Sequence, residues 1–235
     1  MGETYSLRLA GHMTPVTVRR TAMAKRLTLR VDKTSGEVKL TLPQHVGKRT
    51  AEKFLINHVD WIVAERQSVE PDQIVETGSD LAFLGEAFGV VFTGVPPRAV
   101  KFNNEEIHVG GPVDMAGKRL ENWLKKEAGR VLFERAEFHA NTLGAQYERV
   151  SIGDMKSRWG SCSSSGTLRF SWRLVMAPFE VLDYVAAHEV AHLLEMNHSD
   201  KFWAHVARCV PAYKVRRKWL KSEGNKLFKV RFQSA

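Results

Sequence analysis

The stretch that decides the reading is 181-VLDYVAAHEVAHLLEMNH-198. Val181, Leu182, Val185 and Leu193 fall at helical spacing, so the segment reads as a helix anchored in a core. Its last eleven residues hold three histidines and two glutamates. His188 and His192 are four apart, which on a helix puts both rings on one face, about one turn apart, where they can share one metal ion. Glu189 is offset by one residue, placed to reach a water at the metal without being a ligand. That is the H-E-x-x-H arrangement. Zinc suits it: it takes neutral imidazoles and lowers the pKa of bound water to about 7, and a neighbouring carboxylate can then carry the proton.

Catalytic zinc normally has three protein ligands. The best third ligand is His198, provided that Asn197 ends the helix in a left-handed turn and Ser199 starts the next one. Glu195, three residues after His192, and His205, on the following helix, are the alternatives. His12, His45, His58, His108 and His139 are scattered without spacing and read as structural.

Upstream, Pro178 suits the first turn of the histidine helix. Two strands are expected at Arg149–Met155 and Thr167–Trp172, joined by the serine-rich turn SRWGSCSSSG. Within that turn Arg158 is a candidate cation for a developing oxyanion or a substrate anion. Cys162 is a thiol close in sequence to the site. Residues 115–143 carry Leu120, Trp123, Leu124, Ala128, Val131 and Leu132 as the stripe of a long helix. Before it, Gly110-Gly111-Pro112 marks a composition shift, where a domain boundary is expected.

The N-terminal part alternates. VTVRR, LTLRV and VKLTL predict a small antiparallel sheet, with Ser35-Gly36 as a turn. Residues 48–68 predict one helix, with Thr50 as a plausible N-cap, and LAFLGEAFGVVF and KFNNEEIHVG add further strands. The expected fold is α+β: residues 1–112 form a sheet-and-helix module, and residues 113–235 form the metal-binding catalytic domain.

Composition narrows the function classes. At 43% hydrophobic and 26% charged, the 235-residue chain belongs among globular proteins and outside the regime of disorder. No apolar run approaches the roughly 20 residues that cross a bilayer, so no membrane partner is expected. Two cysteines without a pairing pattern fit a reducing, cytoplasmic setting. The net charge of +9 permits anionic partners without choosing one. At the C-terminus, AYKVRRKWLKSEGNKLFKVRF mixes cations with Tyr213, Trp219, Phe228 and Phe232. It reads first as an amphipathic helix with a solvated basic face, and second as a nucleic-acid contact.

The strings RWGSCSSSGTLRFSWRLVMAP and YVAAHEVAHLLEMNHSDKFW resemble the YgjP-like family of bacterial zinc-dependent metallopeptidases, a zincin-like group related in its motif to the SprT-like proteases. TVRR, LTLRV, VKLTLP, DWI and FLGEAFGV extend the resemblance over most of the chain. It implies a zincin-like C-terminal domain with a single Zn2+ held by His188, His192 and His198, and Glu189 as the catalytic residue. Metzincins also place a third histidine six residues after the second, but with a glycine midway; Glu195 stands in that region here and argues against a metzincin turn. The expected activity is hydrolysis of a peptide or protein. A nucleoside triphosphate is the alternative substrate for the same site, and a DNA-associated SprT-like protease or zinc-stabilised nucleic-acid-binding module is the third reading.

Overall fold

The structure is a computed structural model that describes residues 3–9, 12–103, 105–155 and 158–232. The chain divides into two compact units, Met1–Pro71 and Asp72–Ala235.

In the first unit, strands β1 (Glu3–Leu9), β2 (His12–Arg20), β3 (Thr28–Val31) and β4 (Val38–Leu42) form one sheet in the order β1-β2-β4-β3. Alternation works as the sequence predicts: Val16, Val18, Val38, Leu40 and Leu42 are buried, while Thr17, Arg19 and Lys39 face out. Direction is different. β2 and β4 run parallel, so the sheet is mixed rather than antiparallel; alternation fixes which face is apolar and carries no information about strand direction. The helix expected over 48–68 is two helices, α1 (Lys48–Ile56) and α2 (Val59–Gln67), and Gly47 rather than Thr50 takes the N-cap position. Ala51, Leu55 and Ile62 join the core of the sheet.

The second unit starts with β5 (Gln73–Ile74), β6 (Asp80–Phe83), β7 (Glu86–Phe92), β8 (Val100–Asn103) and β9 (Glu106–Val109). The last four form a sheet in the order β6-β7-β9-β8. Helix α3 (Ala116–Leu143) follows and stops at Gly144, whose φ of 69° is a left-handed conformation that favours glycine. The division between compact units thus falls at Pro71–Asp72, whereas composition puts a boundary after residue 112. Val90, Ile107 and Val109 explain the difference. They are fully buried and belong to the same core as Leu120 and Leu124 of α3, so the composition shift marks a change of element inside one unit.

Next come β10 (Arg149–Gly153), β11 (Gly160–Cys162) and β12 (Thr167–Ser171), in the sheet order β10-β12-β11. β11 lies inside the connection that reads as a serine-rich turn; Lys156 and Ser157, at the start of that connection, lie outside the described residues. A 3-10 turn at Trp172–Met176 leads to α4 (Phe179–Ala191). Then follow α5 (Asp200–Cys209), α6 (Tyr213–Ser222), α7 (Gly224–Leu227) and β13 (Val230–Arg231), which pairs parallel with β5. Val181, Leu182, Val185 and Val190 bury α4 in the core, so its C-terminal end is a rigid platform. Among the described residues no helix is long and apolar enough to cross a membrane.

Candidate metal centre

Helix α4 ends at Ala191, five residues before the point the sequence suggests. His192 is its C-cap in right-handed geometry. Leu193 and Leu194 continue with tight turns onto Val190 and Ala191 carbonyls. Asn197 is not left-handed either: among the described residues the only non-glycine with positive φ is Leu84. Instead the Ser199 N–H donates to Asn197 Oδ1 at 2.9 Å, and Ser199 caps α5 by accepting from the Phe202 N–H at 3.4 Å. The chain reverses through this side-chain turn rather than through a left-handed residue.

The reversal brings the three histidines together. One ring nitrogen from each of His188, His192 and His198 lies within 4.8 Å of the other two. Phe202 is their floor: its fully buried ring sits 4.9, 4.5 and 4.8 Å from the three imidazoles in turn. His198 also stacks on Trp203, which stacks on Tyr213. Glu195 and His205 are outside the cluster. Glu195 contributes its backbone instead, because its carbonyl lies 3.0 Å from His192 Nδ1. With Nδ1–H donating there, Nε2 of His192 keeps a free lone pair.

Two observations test whether a metal ion fits. His188 Nε2 and His198 Nε2 are 3.2 Å apart; two nitrogens each 2.0–2.1 Å from one tetrahedral ion would lie about 3.4 Å apart. Burial, with smaller contributions from His192, His198 and Arg217, holds His188 down to about 3, and burial also lowers His192. Neutral imidazoles at neutral pH are what a cation requires. The donor set fits.

The Glu189 side chain packs against Gly160 of β11. It is only 5% exposed, and burial pushes its carboxyl up to about 8, partly offset by the charge of Arg158. Gly160 makes this placement possible: a Cβ there would lie 2.5 Å from Glu189 Oε1, 2.6 Å from Cγ and 2.7 Å from Cδ. Sequence reasoning assigns Gly160 to a turn and misses this role, because the contact spans 29 positions of sequence with no local signature. Arg158 is exposed and near enough for its charge to act on Glu189. Cys162 is near as well, and burial followed by the Glu189 charge raises its thiol to about 11. A cavity of about 440 Å³ opens beside His192, lined among others by Tyr147, Glu148, Ser163 and Met196.

The C-terminal aromatics are engaged inside the unit. Phe228 stacks on Trp159 at 4.4 Å, Phe232 lies on Trp172 at 5.9 Å, and Tyr213 stacks on Trp203 at 5.1 Å. Lys229 and Arg231 pair with Asp72 at 3.5 and 3.0 Å. Arg217 covers the Trp203 ring at 4.7 Å.

A family model described as YgjP-like, metallopeptidase domain, matches residues 25–223. Among solved structures, the crystal structure of the metallopeptidase zymogen of Pyrococcus abyssi abylysin is similar over 39% of this chain and 95% of that chain, at 26% identity and a TM-score of 0.36. No curated protein gives a significant match.

Proposed function

The chain belongs to the YgjP-like metallopeptidase family, and from that premise we propose that it is a zinc-dependent peptidase in which His188, His192 and His198 hold one ion and Glu189 is the general base. The observation that supports this most is the convergence of three imidazoles beside a buried carboxyl that is not one of the cluster. Zinc, when bound, supplies Lewis acidity, acidifying water and polarising a carbonyl.

The chain's own residues do the rest. Glu189 takes a proton from the attacking water at its carboxylate and returns it to the departing amine nitrogen. Burial raises the carboxyl, so once protonated it holds the proton long enough to deliver it as an acid, which suits the second half of that transfer. Gly160 keeps the carboxylate in place, and Phe202 keeps the three rings facing one point. Arg158, whose charge reaches Glu189, is the candidate to steady negative charge that develops on the substrate carbonyl oxygen. The cavity beside His192 offers room for a substrate side chain.

Glu189→Gln tests the assignment on the zinc-loaded protein, with unfolded protein and nucleoside triphosphates offered in parallel. Loss of protein cleavage with zinc content unchanged supports the proposal. Retained cleavage overturns the role of Glu189, and phosphate or pyrophosphate release without cleavage of protein overturns the peptidase assignment.

A further inference from the structure

The strongest unassigned feature lies in Met1–Pro71. This unit carries twelve of the 35 Lys and Arg residues and seven of the 26 Asp and Glu residues, so more than half of the net charge of +9 sits in under a third of the chain.

Much of that charge is gathered on the solvent face of the sheet. A groove of about 790 Å³ runs over β2, β4 and β3 and is lined by Arg19, Lys25, Arg26, Arg30 and Lys39, with threonine hydroxyls between them. Strand register places Arg30 directly opposite Lys39. Two acids stand nearby, and both are committed: Asp32 and Glu37 reach Lys39 at 3.3 and 3.1 Å, and Glu37 also accepts from the Thr17 hydroxyl at 2.6 Å. Among the described residues, Arg19, Lys25, Arg26 and Arg30 pair with no carboxylate.

The groove does not end at the sheet. Arg26 and Thr28 also line a second cleft, of about 350 Å³, between the edge strand β3 and the helices; Phe54, His58 and Trp61 form its other wall. Trp61 is 42% exposed and, unlike Phe54 and His58, which contact each other, it stands against no other ring among the described residues. A cationic track continuous with an accessible indole is what a single strand needs: phosphates along the track and a base on the ring.

We propose that the Met1–Pro71 unit binds single-stranded nucleic acid, its phosphodiester backbone in the Arg19–Lys25–Arg26–Arg30 groove and a base against Trp61. This goes beyond the peptidase reading and does not depend on it.

The test uses the full chain and labelled oligo-dT and oligo-U strands about twenty nucleotides long, with affinity followed by anisotropy between roughly 50 and 200 mM salt. Four unpaired cations predict a slope of log affinity against log salt near −2.8, at about −0.7 per phosphate contact on a single strand. Arg26→Glu with Arg30→Glu should shrink the slope by about 1.4 and weaken binding at least ten-fold. Trp61→Ala should cost roughly five-fold or more, with Trp61→Phe restoring most of it. Lys214→Glu with Lys218→Glu, on α6, is the control and should change neither.

Binding that is absent in the wild-type chain, or that follows the α6 pair instead of Arg26 and Arg30, overturns the proposal. So does equal binding to anionic phosphatidylglycerol vesicles or tripolyphosphate together with indifference to Trp61→Ala, which would mean a general anion site. Arg26 and Arg30 are both exposed, so their variant keeps the test decisive if a Trp61 variant fails to fold.

Discussion

Gly160→Ala is the sharpest probe of the centre because one methyl group reports on where the base sits. The added Cβ would lie 2.5 to 2.7 Å from three atoms of Glu189, where ordinary contacts begin at 3.4 Å. Close to 1 Å of movement is therefore required. Turning the carboxylate about its last bond moves Oε1 but leaves Cγ and Cδ in collision, so the whole side chain or β11 must shift. Gly160 has no positive φ, so the backbone itself accepts alanine and the effect is purely one of space. A misplacement of this size at a reacting group costs about 100-fold in kcat. Overpacking a site this buried costs about 1–3 kcal/mol, or roughly 2–12 °C in melting temperature for a unit of this size. The three histidines are untouched, so zinc stoichiometry should stay at the wild-type value. The assay is peptide turnover beside metal analysis and a thermal melt on one preparation. Wild-type kcat together with a wild-type melting temperature would refute the placement of Glu189 against β11.

Three further outcomes follow from the same geometry. His198→Ala should sharply lower zinc content, whereas His205→Ala, outside the cluster, should leave it intact; equal loss from both would point to a different ligand set. At Asp183, burial raises the carboxyl, but hydrogen bonds from His139 and Arg135, each 2.7 Å from Oδ1, outweigh it and hold the group below its usual range. A depressed carboxyl contributes stability that is full above about pH 4 and lost as pH falls through its folded value. Denaturant melts of Asp183→Asn from pH 7 to 3 should therefore show lower stability at neutral pH and a shallower acid decline than wild type, and parallel curves would count against the linkage. Cys162 and Cys209, both raised to about 11 by burial, should resist iodoacetamide at pH 7.5 in the folded protein and react once it unfolds; rapid alkylation of native protein would contradict that environment.

The residues of the centre were legible because helical periodicity converts spacing into direction. His188 and His192 had to share a face wherever α4 packed, and an imidazole six residues later needed only a chain reversal. How the chain reverses was not legible. Asn197 suggests a left-handed cap, but the helix had already ended at Ala191, and the Asn197 side chain makes the turn by accepting from Ser199. β11 was missed for a related reason: three residues are too few for a period of two to show, and its pairing with β12 is decided by the sheet. The same applies to the parallel pairing of β2 and β4, and to Val90, Ile107 and Val109, which share a core with α3 across the Gly110-Gly111-Pro112 junction. Patterns within about ten residues were readable; which distant element completed them was not.

That division also runs through the centre itself. The histidines are positioned by local features, the last turn of α4, the side-chain turn at Asn197 and the Phe202 ring on the first turns of α5, all within fifteen consecutive residues. Glu189, the proposed base, is positioned by a long-range one, the bare Cα of Gly160 on a strand that the sheet supplies. On the proposed reading, metal affinity and proton transfer therefore rest on separate supports. Changes in the 188–202 segment should act first on ion content, and changes in β11 should act on turnover at constant ion content. A variant of β11 that lost zinc in proportion to activity would mean that the strand braces α4 as a whole, and that Glu189 has no placement of its own.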